Sequence, residues 1–348
     1  MAAEIEDGVS GMAEIRNKFS VVVPVFNSQN HLRGCLNSIR AAMERYGNAE
    51  LIVLDNGSDD GSYEILRNEY AGWARVEQIR DVTVSALRNR GAELSSGEFI
   101  AFIDSDCLIG PDYFEQALSV LREVADVTGS EYALEEPCHW IQKVWYTLHV
   151  PAKDGIVNYI VSGNLVIKRQ ALLAVGGFDE KMVSCEDNDL GLRLNRAGFK
   201  VYQAHAIRAL HPGGEQSLRV FFRKTAWRSM GMFQMMKHSW LNKPLIVTLA
   251  HLVLVVAAIA NLFGSHASLL TRAAVSLLLV NLAPVLTVLF YALRVKRLYA
   301  PMRSMLLYHL WFVARFYAIG MMLGSMGASR ERKVAIGARL HSPAHTPD

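Results

Sequence analysis

The chain has 348 residues, of which 51% are hydrophobic, and its mean hydropathy is +0.16. This is high for a protein that meets only water, so we expect part of the chain to contact lipid. The net charge of +3 is unevenly divided, because residues 1–243 carry 26 basic and 31 acidic side chains whereas residues 244–348 carry 10 and 2. The four cysteines form no CxxC pair and no disulfide framework, which predicts reduced thiols in a cytosolic compartment.

The first half of the chain alternates short apolar strands with helices. The N-terminal residues are acidic and polar through Glu14, unlike a signal peptide, and we expect residues 1–17 to be flexible. Residues 19–25 form an apolar run rich in β-branched side chains, and helically spaced apolar residues follow it. The pattern recurs at residues 50–55, 74–80 and 98–104. It predicts a mostly parallel sheet with helices on both faces.

Polar clusters follow three of these strands: PVFN at residues 24–27, DNGSDD at 55–60 and DSD at 104–106. In open α/β sheets, ligands bind beyond the carboxyl ends of the strands, so these clusters predict the binding site. No GxGxxG follows the first strand, which argues against a nicotinamide dehydrogenase.

Asp104 and Asp106 place two carboxylates at the end of an apolar strand. Two such acids repel each other unless a cation lies between them or both face water. Carboxylate oxygens suit Mg²⁺ or Mn²⁺, which also bind substrate phosphates. The alternative is an Asp-rich loop that caps the following helix.

Five segments resemble, in order and spacing, the family 2 inverting nucleotide-sugar glycosyltransferases. The segments are VVVPVFNSQNHLRGCLNSI, LIVLDNGSDDGS, LRNRGAELSSGEFIAFIDSD, SGNLVIKRQALLAVGGFDE and CEDNDLGLRLNRAGFKV. The resemblance covers roughly residues 18–238 and implies a GT-A fold, a Rossmann-like α/β domain with a mostly parallel sheet, which we place at residues 18–215. It also implies a nucleotide-sugar donor, and no nucleic-acid partner is expected.

The resemblance assigns roles to residues that match the family's motifs. Pro24, Phe26 and Asn27 would line the nucleotide pocket, and Asp55 with Asn56 would meet the base and ribose. The remaining matches are Arg88 and Asn89 near the diphosphate, Asp104 and Asp106 as the DxD, and Gly163 and Asn164 beside donor sugar and acceptor. Each has a structural alternative: residues 24–27 and 55–61 as turns, Asn27 or Ser28 as a helix N-cap, and Arg88 in a surface ion pair.

Glu186 and Asp187 lie at or just before a helix that we expect to end at Gly198. Acids there are stabilised by the helix dipole, which is the structural alternative. Sugar transfer to a hydroxyl requires a base within hydrogen-bond reach of the attacking oxygen. The resemblance implies that Asp187 is this base, with Glu186 as its supporting neighbour.

His211 follows Asp187 by 24 residues, as does a metal-binding histidine in many family members. We therefore take His211 as a candidate third metal ligand, with a packed or surface histidine as the alternative. Trp140, Trp145 and Tyr146 fall outside the motifs, and for them we expect a core position rather than stacking on a sugar.

Residues 216–243 combine basic side chains with aromatic residues and methionines, as an amphipathic helix on an anionic membrane does. Because this juxtamembrane segment begins five residues after His211, we expect the site to open toward the bilayer. Arg223, Lys224 and Arg228 are candidates to contact the acceptor or a lipid headgroup. The alternative is that they only hold the protein to anionic lipid.

Residues 244–327 form the predicted membrane region. Residues 244–264 and 273–293 are each long enough to cross a hydrocarbon core of about 30 Å. Basic residues between 294 and 304 predict a cytoplasmic loop there. The third apolar segment, residues 305–326, contains His309 and Arg315 and precedes SRERK, which favours an interfacial or re-entrant helix over a third crossing. Residues 328–348 form a basic tail that we expect to be flexible.

These features predict a multi-pass inner- or plasma-membrane enzyme with a cytoplasmic catalytic domain. It would transfer one sugar, with inversion and with Mn²⁺ or Mg²⁺, from a nucleotide-sugar, for which UDP is the expected nucleotide, to a hydroxyl of a lipid-linked glycan or glycolipid. Alternatives are a processive polysaccharide synthase, which would carry QxxRW where the chain has QSLRV, and a polyprenyl-phosphate sugar synthase, which has little need of a base. A nucleotidyltransferase and an inactive membrane scaffold are the other classes considered.

Overall fold

The computed structural model describes residues 17–134, 136–150, 153–212, 214–235, 243–264 and 267–324. The chain divides into two compact units. The first unit comprises Met1–Glu136, Lys153–Met182 and Glu186–Gly213, and the second comprises Pro137–Ala152, Val183–Cys185 and Gly214–Asp348. Residues 1–16 of the predicted flexible N-terminus, residues 236–242 of the juxtamembrane segment and the tail at 328–348 lie outside the described residues.

The first unit contains ten strands and six helices among the residues that the structure describes. The strands are β1 Phe19–Val25, β2 Ala49–Asp55, β3 Arg75–Gln78, β4 Phe99–Ile103, β5 Leu108–Ile109, β6 Val127–Gly129, β7 Gly155–Ile156, β8 Asn164–Lys168, β9 Val201–Gln203 and β10 Ala209–Leu210. The helices are α1 Gln29–Tyr46, α2 Ser62–Ile65, α3 Val84–Leu94, α4 Tyr113–Glu123, α6 Arg169–Ala174 and α7 Glu186–Arg196, and a π-helical turn at Leu66–Tyr70 follows α2.

Eight strands form one mixed, mostly parallel sheet in the order β3-β2-β1-β4-β8-β6-β9-β7. β1 runs parallel to both β2 and β4, and Val25 pairs with Asp55, so β1 and β2 end at the same edge. β8 runs antiparallel to β4 and places Asn164 opposite Ile103. The two remaining strands, β5 and β10, pair antiparallel in a small second sheet.

Helices cover the parallel strands on both faces, as the apolar runs predict. Val21 and Val23 of β1 pack into a core with Leu36 of α1 and Phe114 of α4. Val22, between them in the sequence, packs into the opposite core. Because successive side chains of a strand point to opposite faces, a run that is apolar at every position predicts burial on both sides.

The second unit contains five helices among the described residues. They are α5 Trp140–His149, α8 Leu218–Gln234, α9 Lys243–Leu262, α10 Leu269–Arg294 and α11 Pro301–Gly324. The last three are long and apolar enough to cross a membrane. Because α11 has 24 residues, its axis measures about 36 Å, so length alone permits the third crossing that the flanking charges disfavour.

Helix α8 buries part of its apolar face within the second unit. Phe221 is fully buried and joins Val144 of α5 and Leu307 of α11 in one core. Trp140 and Trp145 pack against this core, in agreement with the core position expected for them.

Candidate active site

The Arg88 side chain links two acidic groups of the first unit. It is buried, with 3% of its side chain exposed, and lies on α3. Arg88 donates from Nη2 to Asp104 Oδ1 over 2.7 Å and from Nη1 to Glu186 Oε1 over 2.8 Å. Burial alone would lower the pKa of Arg88, but the two carboxylates outweigh this effect and raise it. Arg88 is therefore a buried side chain that pairs with one buried and one partly exposed acid, rather than with a surface acid alone.

Asp104 follows the last residue of β4 and receives a second hydrogen bond. The Tyr132 hydroxyl donates to Asp104 Oδ2 over 2.9 Å. Burial, reinforced by the nearby Asp104 charge, raises the pKa of Tyr132, so the phenol keeps its proton. The Tyr132 ring also stacks on His211, with 4.6 Å between ring centroids.

His211 lies beside the second acid of the DSD cluster. Its Nε2 atom is 3.1 Å from Asp106 Oδ2, and both side chains are partly exposed, at 15% and 30%. Two ligands at about 2.1 Å from one Mg²⁺ or Mn²⁺ ion lie close to 3 Å apart, so this pair fits two adjacent positions of a metal site.

The donor set as a whole suits a hard cation that keeps open positions. Among the described residues, no group of three His, Cys, Asp or Glu side chains is already arranged around one point. Asp104 is turned toward Arg88 and Tyr132, whereas Asp106 and His211 face each other. A divalent ion held by one acid and one histidine would leave coordination positions for diphosphate oxygens and water.

Gly163 is required by the close approach of two site residues. A Cβ atom at this position would lie 2.0 Å from Asp104 Oδ2 and 2.2 Å from the Tyr132 hydroxyl. The Asp104 backbone N–H also donates to the Gly163 carbonyl over 3.1 Å. Any side chain here would therefore displace Asp104. The packing of the site thus requires glycine at position 163.

Asn164 lies behind the surface of the site. The residue is fully buried, and its Oδ1 accepts from the Tyr113 hydroxyl over 2.7 Å. Its Nδ2 donates to the carbonyl oxygens of Ser130 and Ile207. The amide thus ties β8 to neighbouring segments, and this geometry favours a supporting role over the direct sugar contact expected for Asn164.

Glu186 and Asp187 occupy the first turn of α7. Glu186 is buried and accepts from Ser162 over 3.0 Å in addition to Arg88. Asp187 Oδ1 accepts from the backbone N–H and the side-chain amide of Asn188. Burial, reinforced by the Glu186 charge, raises the pKa of Asp187 to about 6. A carboxylate with a raised pKa is a stronger base, which suits proton abstraction near neutral pH.

The DNGSDD turn is organised by Asp55 rather than left open to water. Asp55 is fully buried, and its Oδ2 accepts from the backbone N–H groups of Gly57 and Ser58 and from the Gln78 amide. Asn56 exchanges hydrogen bonds with the backbone of Val82. Asp55 therefore holds the loop, and the groups exposed to a ligand come from the residues around it.

The PVFN segment meets this loop. Pro24 is buried within β1, whereas Phe26 is 40% exposed. Asn27 adopts a left-handed backbone with φ +49° and accepts at Oδ1 from the Asp59 backbone N–H. Ser28 is the N-cap residue of α1 but makes no side-chain capping hydrogen bond, so only the position of the predicted cap is correct. An exposed aromatic ring beside a fixed loop suits a nucleotide base.

Asn89 connects α3 to the segment before α7. Its Nδ2 donates to the Phe178 carbonyl over 2.9 Å, and its Oδ1 accepts from the Phe178 backbone N–H over 2.8 Å. Gly177 passes close to this amide, because a Cβ there would lie 2.6 Å from Asn89 Oδ1. The hydrogen bonds favour a structural role for Asn89.

The three basic candidates of the juxtamembrane segment belong to α8 in the second unit. Arg228 pairs with Glu215 over 2.9 Å. Burial alone would raise the pKa of Glu215, but Arg228 and Lys224 outweigh it and lower it to about 2. Arg223, Lys224 and Arg228 thus lie on one helix, as the sequence predicts. Arg228 also pairs with Glu215, which is the last acidic residue before a long basic and apolar stretch of the chain.

Two polar contacts of the site were not found from the sequence. Tyr132 bonds Asp104 and stacks on His211, and Ser162 bonds Glu186. Tyr132 lies outside the five segments. Ser162 begins the SGN segment, but the resemblance assigned roles only to Gly163 and Asn164 there.

Two family models match the chain. The model described as glycosyl transferase family 2 matches residues 20–175, and the model described as glycosyl transferase family group 2 matches residues 99–326. The second match covers more than half of the chain and includes Asp104, Glu186 and His211.

Curated relatives match just over half of the chain. Glycosyltransferase AglE of Haloferax volcanii is 29% identical over 201 residues, which is 56% of this chain and 66% of AglE. The amylovoran biosynthesis glycosyltransferase AmsB of Erwinia amylovora is 24% identical over 199 residues, which is 52% of this chain and 65% of AmsB. The chain therefore spans just under two thirds of the length of these two relatives.

A solved structure shares the fold. The mannosyltransferase PcManGT from Pyrobaculum calidifontis, in complex with GDP-Man and Mn²⁺, superposes with a TM-score of 0.50 at 11% identity, over 93% of this chain and 84% of that chain. At this identity the likeness concerns the fold alone.

Proposed function

The chain belongs to the family 2 glycosyltransferases, and on that premise we propose that it transfers one sugar from a nucleotide-sugar, expected to be a UDP-sugar, to a hydroxyl group with inversion. The observation that carries the proposal is the Arg88 bridge, because one guanidinium holds Asp104 of the DSD cluster and Glu186 of the α7 first turn. It brings the groups expected at the diphosphate and at the acceptor to one edge of the sheet.

Asp187 is the proposed base. As the acceptor oxygen forms its bond to the anomeric carbon, its proton passes to the Asp187 carboxylate, and the bond from that carbon to the nucleotide diphosphate breaks. A single displacement from the side opposite the leaving group inverts the anomeric centre. Glu186 is held by Arg88 and Ser162, and its position beside Asp187 helps to raise the pKa of the Asp187 carboxyl.

The diphosphate end of the donor is assigned to the DSD cluster. Asp106 and His211 are the residues that would hold Mn²⁺ or Mg²⁺. Asp104, also predicted as a ligand, is bonded through both carboxylate oxygens to Arg88 and Tyr132. When bound, the ion supplies positive charge that stabilises the leaving diphosphate. Arg88 fixes Asp104 in place, and Tyr132 orients both Asp104 and His211. PcManGT, a relative in fold, was solved with a nucleotide-sugar and Mn²⁺, which supports the same ligand class.

The proposed acceptor is a lipid-linked glycan or a glycolipid of cell-envelope polysaccharide synthesis. Three helices of the second unit are long and apolar enough to cross a membrane, and confinement of enzyme and acceptor to one membrane raises the effective concentration of the acceptor. AmsB is named for amylovoran biosynthesis, which supports a polysaccharide pathway. We assign Arg223, Lys224 and Arg228 to the anionic headgroup of the acceptor.

Membranes that carry the full chain provide the test. They are incubated with radiolabelled UDP-glucose, UDP-galactose, UDP-N-acetylglucosamine and GDP-mannose in turn, and label in the lipid extract is measured against membranes with the Asp187→Asn variant. The proposal expects one donor to label a lipid product by a single sugar on an existing glycan. Label in a long polymer would indicate a processive synthase. Label in a sugar that is linked directly to a lipid phosphate would indicate a polyprenyl-phosphate sugar synthase. An absence of transfer from every donor would indicate a scaffold.

A further inference from the structure

Three residues that precede the proposed base belong to the other unit of the molecule. Met182 ends one segment of the first unit and Glu186 begins the next, but Val183–Cys185 packs with the second unit. The chain therefore crosses to the second unit and returns immediately before α7. Asp187 is the second residue after this return.

Ser184 is held by helix α8 within the second unit. It is fully buried. Its hydroxyl donates to the Trp227 carbonyl over 2.9 Å and accepts from the Gly231 backbone N–H over 3.0 Å. These two groups are four residues apart, which is the spacing of an α-helical hydrogen bond. The Ser184 hydroxyl thus binds both the carbonyl and the N–H group of one helical turn, and these two bonds attach Ser184 to α8.

Gly231 provides the space for this contact. A Cβ atom at Gly231 would lie 2.0 Å from the Ser184 carbonyl oxygen, which is backbone and cannot turn aside. Any larger residue at this position must push the Val183–Cys185 segment away from α8.

Cys185 completes the attachment in an unfavourable backbone conformation. Its φ is +61°, in the left-handed region that residues with a side chain rarely adopt. Its thiol donates to the Arg228 carbonyl over 3.2 Å. Such a conformation persists only when the surrounding contacts impose it, and it often marks a functional position. Cys185 is the last residue before α7, so its backbone conformation sets the direction in which the chain enters the first turn of α7.

We propose that Ser184 and Gly231 are positioning residues that set the place of the Asp187 carboxylate through the Val183–Cys185 segment. Successive Cα atoms are fixed at about 3.8 Å, so a displacement of Ser184 from α8 is transmitted to the start of α7. This inference rests on the proposed role of Asp187 as the base. It adds that helix α8, which lies in the second unit and follows Asp187 by about 30 residues, influences the rate of sugar transfer.

The test uses the full chain in membranes and two variants, Ser184→Ala and Gly231→Ala. We expect the kcat of sugar transfer to fall by about 10- to 100-fold, because a misplacement of about 1 Å costs that much in a positioned reaction. The KM for the nucleotide-sugar and its binding should stay within about twofold, since the contacts assigned to the donor lie elsewhere. Rates are expressed per nucleotide-sugar-binding site, so misfolded protein does not count.

Matched controls separate positioning from general loss of packing. Ser229→Ala removes a buried hydroxyl on α8 that donates to the Thr225 carbonyl of the same helix. Gly320→Ala adds a methyl group to a helical glycine, and outside its own helix turn no heavy atom of the described residues lies within 4 Å of the new atom. Both controls should keep the kcat of the parent.

A double-mutant cycle with Asp187→Asn decides whether the effect passes through the base. If Ser184 acts by placing Asp187, Ser184→Ala should change the residual rate of Asp187→Asn by less than about twofold. A loss of about 10-fold or more in both backgrounds, or an unchanged kcat in both single variants, would overturn the inference. If Asp187→Asn alone keeps full activity, the proposed function itself fails, and the two failures are thereby distinguished.

Discussion

Arg88 Nη1 lies 2.8 Å from Glu186 Oε1, although the two residues are 98 positions apart in the chain. The second arm of the same guanidinium binds Asp104. A planar group with donors in a fixed fork is suited to hold two carboxylates at once, which an ammonium group cannot reproduce. Arg88 therefore sets the spacing between the α7 first turn and the DSD cluster.

Arg88→Lys should abolish most of the activity. A lysine keeps the charge but leaves one buried acid without its partner, which costs about 3–5 kcal/mol when a buried pair is broken. We expect transfer to fall by about 100-fold or more. The measurements are transfer kinetics on membranes and thermal unfolding of the purified chain. Arg90→Lys is the matched control, because Arg90 lies on the same helix and makes exposed ion pairs with Glu77 and Glu93. Equal activity of both variants would show that the bridge is dispensable.

Metal removal should stop transfer. Asp106 and His211 face each other at 3.1 Å, and the pair fits a divalent ion. EDTA should eliminate activity, and added Mn²⁺ or Mg²⁺ should restore it. His211→Gln should raise the Mn²⁺ concentration that gives half-maximal rate by about 10-fold or more.

His205→Gln provides the comparison for this experiment, because His205 also contacts an aspartate, Asp154, but in an exposed pair that no site motif includes. Its metal requirement should equal that of the parent. Full activity in EDTA would remove the metal from the account.

Activity should depend on the ionisation of Asp187. Since the base accepts a proton, it must be deprotonated, and burial together with the Glu186 charge raises its pKa to about 6. The kcat should therefore fall tenfold for each pH unit below about 6 and level off above it. A plateau that extends to pH 5 would show that the rate follows a group with an ordinary aspartate pKa.

The same raised pKa has a consequence for stability. The folded chain holds this proton more tightly than the unfolded chain, so the contribution of Asp187 to stability is present below about pH 4 and lost as pH rises to about 6. Thermal unfolding at pH 7.5 should accordingly occur at a higher temperature for Asp187→Asn than for the parent.

The membrane topology can be read from the ends of the chain. The basic residues between α10 and α11, and those after α11, predict that both regions are cytoplasmic. Tags placed at the N-terminus and after Pro343 should therefore both be protected in intact cells from an external protease or label. Access to the C-terminal tag alone would show that α11 crosses, as its length permits.

Short-range patterns predicted much of the fold. The apolar run at residues 19–25 corresponds to β1, and the acids at 186–187 begin α7, which ends close to the predicted Gly198 with its φ of +86°. The spacing of apolar residues and the residues that begin or end a helix are local features, so they can be read directly from the sequence. The fold class and the family predicted from the motifs are both confirmed.

Long-range polar contacts within the site could not be predicted. The motif placed Asp55 at the nucleotide, but whether its carboxylate faces a ligand or its own loop depends on Gln78, which pairs with it across 23 positions. Tyr132 reaches Asp104 across 28 positions and from outside every motif. Such contacts follow from the packing of the sheet, and no spacing along the chain encodes them.

The measurement that tests the central claim most directly compares donor binding and sugar transfer in the Asp187→Asn variant. Asparagine keeps the shape of the side chain but cannot accept the proton, so the kcat of transfer should fall by roughly 100-fold or more. Binding of the nucleotide-sugar, measured by calorimetry with Mn²⁺ present, should change by less than about twofold. A variant that binds and transfers as the parent does, or that loses binding and transfer in equal measure, would contradict the assignment of Asp187 as the base.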